Sequence, residues 1–422
     1  VTKDPAPRIA GPGWGEAPPT AGLLPHWCDL IFPSRPDTLE TAICRRFDLR
    51  DIEIVSTGTA GLLIAFLHLG EKHPGRDVVI VPAYTCPLVA IAAHAAGLRT
   101  LACDTAPTSL DLDLGHLARL VSPETLAVVP THYGGWLADV EAVRRTCPGV
   151  AIVEDAAQAF GATWNGHNTG MAGDIGIFSF GAGKGFTIYE GGALVARERD
   201  TMEGLRATAA RLTTPDKLGE LGRALMLAGY HAAFNPVGLR LVYGAPKRRA
   251  LARDDEIGAT GDRFPLHVDV TRVGAFRRRA GRAALDRLDA HLMASRARFD
   301  AIADRLAQVP GLTVHRPPPH TQPSATSLFV TLAEHPERDL VIRALWRSRL
   351  GVSRMFSRAL TDFPDMKPLL IPSATPNAKA LSAGTITITT STLLSDSAET
   401  VIVETLREFA RASGWPTFPL SS

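Results

Sequence analysis

Between about residues 50 and 200, apolar and polar positions alternate in a regular way along the 422-residue chain. Short runs that are apolar on both faces, at 78–82, 98–103, 126–130, 150–153, 175–180 and 193–197, read as buried strands. Helical spacing fills the gaps at 88–96, 114–120 and 137–146, and a short helix at 37–47 and a strand at 51–55 precede them. Doubly apolar strands alternating with helices predict an α/β fold with a mostly parallel sheet flanked by helices. From about 200 to 265 the alternation breaks, and this stretch reads as an insertion. Further on, a long helical pattern at 273–306, strands at 312–314 and 327–332, and helices at 340–349 and 398–412 predict a smaller C-terminal α+β domain. The expected organisation is a Pro- and Gly-rich arm over 1–37, a large domain over 38–265 and a smaller one over 266–422.

Composition narrows the function. The chain is 45% hydrophobic and 21% charged, which fits a globular protein. A formal net charge of +2 gives no argument for nucleic-acid binding. The clusters Lys247-Arg248-Arg249 and Arg277-Arg278-Arg279 read as solvated faces. Five scattered cysteines without a C-x-x-C pair suggest neither a metal site nor a disulfide framework, and fit a reducing cytoplasm. The first residues lack the apolar core of a signal peptide. The most apolar helical piece, 224–234, is too short to cross a bilayer; it is expected to be an interfacial or subunit-contact helix, and nothing supports a membrane contact.

Candidate chemistry centres on Lys184. It follows the apolar run Ile175-Gly176-Ile177-Phe178 and the turn Gly181-Ala182-Gly183, an unusual place for a charge. A desolvated lysine can act as a nucleophile or form a Schiff base; a surface lysine on a glycine turn is the plainer reading. Asp155 ends the strand at 150–153, Gln158 follows one turn later, and Ser179 precedes the lysine by five residues. Ser56-Thr57-Gly58-Thr59-Ala60-Gly61 runs into an apolar helix, which makes either an ordinary cap or an anion site. Asp155, Thr131-His132-Tyr133, Tyr84-Thr85-Cys86 and the loop carrying Lys184 fall at the carboxyl edge of the parallel strands, where ligands bind in such sheets. Pyridoxal 5'-phosphate needs this set at once: a lysine, a carboxylate for the pyridine nitrogen and donors for the phosphate.

The motifs S-T-G-T-A-G at 56–61, V-P-A-Y-T at 81–85, T-H-Y-G-G-W-L-A-D at 131–139, E-D-A-A-Q-A-F-G-A at 154–162, G-D-I-G-I-F-S-F at 173–180 and K-G-F-T-I-Y-E-G-G at 184–192 carry a resemblance. On them the chain resembles the DegT/StrS sugar aminotransferases, of the aspartate-aminotransferase fold (fold type I). The resemblance implies that Lys184 is the Schiff-base lysine and proton shuttle, and that Asp155 pairs with the pyridine nitrogen. It implies that Gln158 bonds the phenolic oxygen, and that Ser179 with the Thr59 and Ala60 amides holds the phosphate. It also implies a homodimer with shared sites. Transamination is expected from an amino acid, glutamate first, to a keto group on a nucleotide-linked sugar, with ping-pong kinetics through pyridoxamine phosphate. A non-sugar ketone such as a cyclitol, and a non-enzymatic sensor built on the same fold, are the alternatives.

The chain departs from the family in three places. Cys86 stands where relatives carry a ring-stacking aromatic, so stacking is expected from Tyr84, or from a softer sulfur contact in its place. Tyr189 replaces a common glycine. Val270 falls near the asparagine that relatives send across the dimer. Tyr84, His132 and Tyr189 are the candidate substrate contacts.

Overall fold

The computed structural model describes residues 9, 15–32 and 35–412. Part of the expected arm therefore lies outside the described residues. Seven strands build most of the large sheet: β1 (Glu53–Val55), β2 (Val78–Pro82), β3 (Arg99–Cys103), β4 (Thr125–Val128), β5 (Ala151–Asp155), β6 (Ile175–Ser179) and β7 (Gly192–Ala196). Later in the chain come β8 (Leu312–His315), β9 (Ser327–Leu332), β10 (Val352–Ser353), β11 (Leu370–Ile371) and β12 (Thr385–Thr389). The large sheet has the order β1-β7-β6-β5-β4-β2-β3-β11. It is parallel from β6 to β11, with β7 antiparallel to both β6 and β1.

This is the mostly parallel sheet expected, and the reason is burial. Every residue of β2 and β4 is buried, so each strand must be apolar on both faces. Leu62, Val89, Met202 and Leu205 cover one face of the sheet, and Leu117, Val143, Phe160 and Leu285 belong to the cores on the other. Helices cover both sides.

The second sheet is antiparallel, in the order β8-β9-β12-β10. Its core contains Phe299, Ile302, Leu345, Ile402 and Leu406. The helical pattern expected to run unbroken over 273–306 is two helices, Ala275–Leu285 and Leu288–Leu306. At the break, Arg287 reaches Asp29 at 2.5 Å and Asp286 pairs with Arg282 at 2.6 Å. The second helix bridges the cores: Leu288 and Leu292 pack under the large sheet, Phe299 to Leu306 under the small one. β11 returns to the edge of the large sheet beside β3.

The 200–265 stretch is mostly helical. Arg199–Leu212 packs Met202, Leu205 and Ala209 into the large core. The apolar piece at 224–234 is the second half of Lys217–Ala233, which starts on an Asp216 cap accepting from Gly219 N–H at 2.8 Å. Among the described residues no helix is long and apolar enough to cross a membrane. The described part of the N-terminal stretch lies along its own chain, with Ala17, Leu23, Leu24 and Leu30 buried.

One close approach fixes the centre of the sheet. A Cβ on Gly176 of β6 would overlap the backbone of Gly170, which crosses directly above it. Gly176→Ala should therefore destabilise the fold by about 3 kcal/mol through overpacking against backbone that has nowhere to move. A urea midpoint lowered at constant slope confirms this; an unchanged midpoint would show that the crossing can relax.

Candidate active site

The carboxyl ends of β2, β4, β5 and β6 meet the start of the helix Gly58–Lys72 around one cavity. Its wall includes Thr59, Cys86, His132, Asp155, Gln158, Ser179, Lys184 and Phe356. Seven of these eight were expected from sequence; Phe356 was not.

Lys184 sits on the turn between β6 and β7. Gly183 has φ +79°, a left-handed conformation suited to glycine, and Lys184 N–H donates to the Gly181 carbonyl at 3.2 Å. The Nζ atom has no hydrogen-bond or ion-pair partner among the described residues. The turn is held from outside by the N-terminal stretch. Thr20 Oγ1 donates to the Gly183 carbonyl at 2.7 Å, Leu23 N–H to the Gly185 carbonyl at 3.0 Å, and Thr187 N–H to the Leu23 carbonyl at 3.1 Å. Gly22 presses so closely that a Cβ there would lie 2.6 Å from the Lys184 carbonyl oxygen.

Asp155 ends β5 and is 5% exposed. Its Oδ1 accepts from Ala157 N–H at 3.0 Å, and among the described residues no cation bonds it. Burial raises its pKa, against the pull of the Ala157 N–H, Lys184 and His132. A buried carboxylate in this state is set to receive a charged N–H from a ligand.

At the other end, Thr57 caps the helix Gly58–Lys72. Its Oγ1 accepts from Ala60 N–H at 3.0 Å, so the Ala60 amide expected to hold phosphate is already engaged. The first-turn N–H groups of Gly58 and Thr59 have no intrahelical acceptor, and a helix start of this kind can take an anion. Gly58 packs tightly on Ser179: a Cβ there would lie 3.1 Å from Ser179 Cβ. Ser179 Oγ accepts from Gly181 N–H at 3.3 Å. Ser324 Oγ donates to the Gln158 backbone carbonyl at 2.6 Å, and Gln158 lines the cavity.

Three expected residues sit differently. Tyr84 is fully buried behind the wall, 5.3 Å from the Phe356 ring and 6.1 Å from Tyr133, and does not line the cavity. Burial pushes its phenol well above the ordinary range. The ring surface that reaches the cavity is Phe356, with Cys86 beside it; burial pushes that thiol up to about 12, so it stays protonated. Tyr189 points away, 6.0 Å from Tyr230 of the helix Lys217–Ala233, and it holds φ +74°. That conformation explains why a glycine would be at home there. Val270 is buried in the large core.

His132 is locked. Nδ1 accepts from Ala138 N–H at 3.0 Å, so the proton is on Nε2, which donates to Glu154 Oε1 at 2.8 Å. No ring nitrogen is left for substrate. Glu154, which sequence reasoning missed, is 1% exposed and also accepts from the N–H groups of Gly170 and Gly173. Strand alternation turns it to the face opposite Asp155.

A lysine amine, a buried carboxylate and the start of a helix thus line one cavity at the carboxyl edge of a mostly parallel sheet, the edge where ligands bind in such sheets. The chain matches the DegT/DnrJ/EryC1/StrS aminotransferase family over residues 34–217 and 272–407, and it belongs to that family. It is 37% identical over 149 residues to 3-amino-5-hydroxybenzoate synthase of Amycolatopsis mediterranei, covering 35% of this chain and 38% of that protein. To GDP-perosamine synthase of Caulobacter vibrioides it is 31% identical over 164 residues, 38% of this chain and 44% of that one. The chain thus aligns with less than half the length of these curated relatives. The crystal structure of DesI in the presence of its TDP-sugar product shares the fold, with TM-score 0.72 and 20% identity over 96% of this chain and 94% of that one. Residues 218–271 lie outside the family match.

Burial works against the Glu154 charge, but the His132, Gly170 and Gly173 donors outweigh it and hold the carboxyl below its ordinary 4.5. A depressed carboxylate contributes stability that is complete above pH 4.5 and is lost as the pH falls through the lower folded value. Glu154→Gln should cost about 3 kcal/mol at neutral pH, because it leaves buried donors misfitted. It should also flatten the decline in stability below pH 4.5. Urea midpoints from pH 3 to 7 test this; parallel curves for the two proteins would contradict it.

Proposed function

We propose that the chain is a pyridoxal 5'-phosphate-dependent aminotransferase that moves an amino group from an amino acid, L-glutamate first, to the keto group of a nucleotide-linked sugar. One observation carries the reading: the unpaired Lys184 amine, the uncompensated Asp155 carboxylate and the open start of the helix Gly58–Lys72 share one cavity. These residues fit the cofactor. Asp155 would hold the protonated ring nitrogen, Gln158 the phenolic oxygen, and Ser179 with the Gly58 and Thr59 amides the phosphate. Phe356 and Cys86 supply an apolar wall for the ring. When bound, the cofactor supplies an electron sink for charge developing at the donor's α-carbon.

The chain's own residues do the rest. Lys184 Nζ, free of other partners, holds the cofactor and then takes up and returns the proton at the reacting carbon. The strap at 20–23 keeps its backbone in place while the side chain moves. Across both halves the donor leaves as a keto acid and the acceptor's oxygen leaves as water, which gives ping-pong kinetics. A homodimer with shared sites in a reducing cytoplasm is the setting that fits the family and the five free cysteines.

A second reading keeps the chemistry and changes the acceptor. The similarity to 3-amino-5-hydroxybenzoate synthase favours a non-sugar ketone. Incubating the loaded protein with L-glutamate and a panel of keto-sugar nucleotides and keto-cyclitols, read by mass spectrometry, separates the two. Lys184→Ala should lower turnover by at least about 10²-fold. Turnover that survives this change would remove the role given to Lys184, and loaded protein that aminates no ketone would overturn both readings.

A further inference from the structure

A second cavity, of about 610 Å³, lies on the Glu154 side of β5, and its size is ordinary for a small-molecule site. Glu154 and His132 form part of its lining. The chemistry proposed above makes no use of it. One wall is a hairpin, in which Thr163–Trp164 pairs with His167–Asn168. The two residues of its turn, Asn165 and Gly166, hold φ +49° and +78°, the left-handed values of a tight two-residue connection. A further short strand, Thr321–Gln322, pairs with the Trp164 strand and holds the hairpin in place. Trp164 lies directly opposite His167 in this register, so indole and imidazole are presented on one face, and both line the cavity. The Trp164 indole N–H has no hydrogen-bond partner among the described residues. Met171 and Ala172 add apolar surface.

Two arginines supply charge. Arg145 lies in the last turn of the helix Val140–Thr146, and Arg197 directly follows β7. Asp174 gathers the two segments that carry them: Arg144 donates to Asp174 Oδ1 at 3.0 Å, and Arg197 N–H donates to the Asp174 carbonyl at 3.1 Å. Arg145 and Arg197 are exposed, line the cavity and have no side-chain ion-pair or hydrogen-bond partner among the described residues. The acids that could neutralise them are engaged elsewhere. Asp174 also accepts from Ile152 N–H at 2.7 Å, and Asp139 caps its helix by accepting from Ala142 N–H at 2.8 Å. Glu154 is taken up by His132 and the Gly170 and Gly173 N–H groups. In the lining, Glu141 is the one acid without a partner among the described residues, which leaves two free cations against one free carboxylate.

A half-buried indole with a spare donor, beside two unneutralised guanidinium groups, matches a flat ring that carries an anion. We propose that this cavity is a second ligand site, for a small molecule of that class, with the ring on Trp164 and the anion on Arg145 and Arg197. The site stands apart from the aminotransferase reading, because none of the groups given to the cofactor lines it. His132 lines both cavities, so a ligand bound here sits against the histidine that borders the Lys184 site. Nucleoside monophosphates and aromatic carboxylates share the chemistry the cavity selects.

Calorimetric titration tests this without any turnover. The probes are uridine 5'-monophosphate and 2-naphthoate, with uridine as the ring without an anion and inorganic phosphate as the anion without a ring. The proteins are the wild type, the double variant Arg145→Ala/Arg197→Ala, Trp164→Leu, Trp164→Phe, and Arg199→Ala as a charge control at an exposed ion pair. At least one probe should bind the wild type and Arg199→Ala saturably, and at least about tenfold more weakly the double variant. Trp164→Leu should weaken it at least about fivefold, and Trp164→Phe, which keeps a ring, should restore most of the loss. Uridine and phosphate should each bind at least about tenfold more weakly than the better probe. The stronger of the two probes assigns the site to a nucleotide or to an aromatic acid. No binding of either probe, binding indifferent to the arginine and tryptophan substitutions, or a probe displaced by pyridoxal 5'-phosphate would overturn the proposal. Because the arginines removed are exposed and unpaired, the double variant keeps the fold that the comparison needs.

Discussion

The site depends on holding a lysine backbone still while leaving its amine free. The turn between β6 and β7 is fastened from both sides. Inside the turn, Phe180 N–H donates to Gly191, Ala182 N–H to Tyr189 and Ile188 N–H to Phe180, at 2.8, 2.8 and 3.1 Å. Outside it, the stretch from Thr20 to Leu23 lies across the turn and ties it down through Thr20 Oγ1 and the Leu23 backbone, and Ala21 N–H ties that stretch to the Thr326 carbonyl at 2.8 Å. Tyr189 accepts a left-handed backbone to place its ring on Tyr230, which fastens the far end of the turn to the segment outside the family match. Strain of about 1–3 kcal/mol at such a residue persists only where surrounding contacts fix it.

The rest of the cavity follows from two neighbouring side chains on one strand. Asp155 and Glu154 are successive residues of β5 and point to opposite faces. Asp155 enters the cavity with spare acceptor capacity. Glu154 turns away and gathers His132, Gly170 and Gly173, which fixes the chain above Gly176 and orients the histidine in the cavity wall. One carboxylate is left unsatisfied for a ligand because the other is fully satisfied by protein.

Much of this was legible in the sequence where burial imposes a pattern. Seven of the eight strands of the large sheet lie within a few residues of their expected positions because burial makes them apolar; the edge strand β11 was not expected. The break at Asp286–Arg287 was not legible, since helical periodicity continues through it and the interruption is set by distant partners such as Asp29. β12, T-I-T-I-T, was passed over because alternate threonines read as polar, although all five residues are buried and Thr385 meets Thr331 at 2.7 Å. The strap was invisible because most of its bonds are backbone to backbone, and a Pro- and Gly-rich arm reads as loose. Among site residues, the motif fixed Lys184, Asp155, Gln158 and Ser179. Phe356 comes from the far end of the chain, where no spacing points to it. Tyr84 was misjudged because adjacency to Cys86 says nothing about which way a ring turns.

The account stands on Lys184 being the amine that holds the cofactor. Loading the protein with pyridoxal 5'-phosphate, fixing the cofactor in place with borohydride, and mapping the modified peptide by mass spectrometry tests this directly. A single pyridoxyl group on Lys184 is the result the account predicts. Modification spread over other lysines, or none at all, would contradict it.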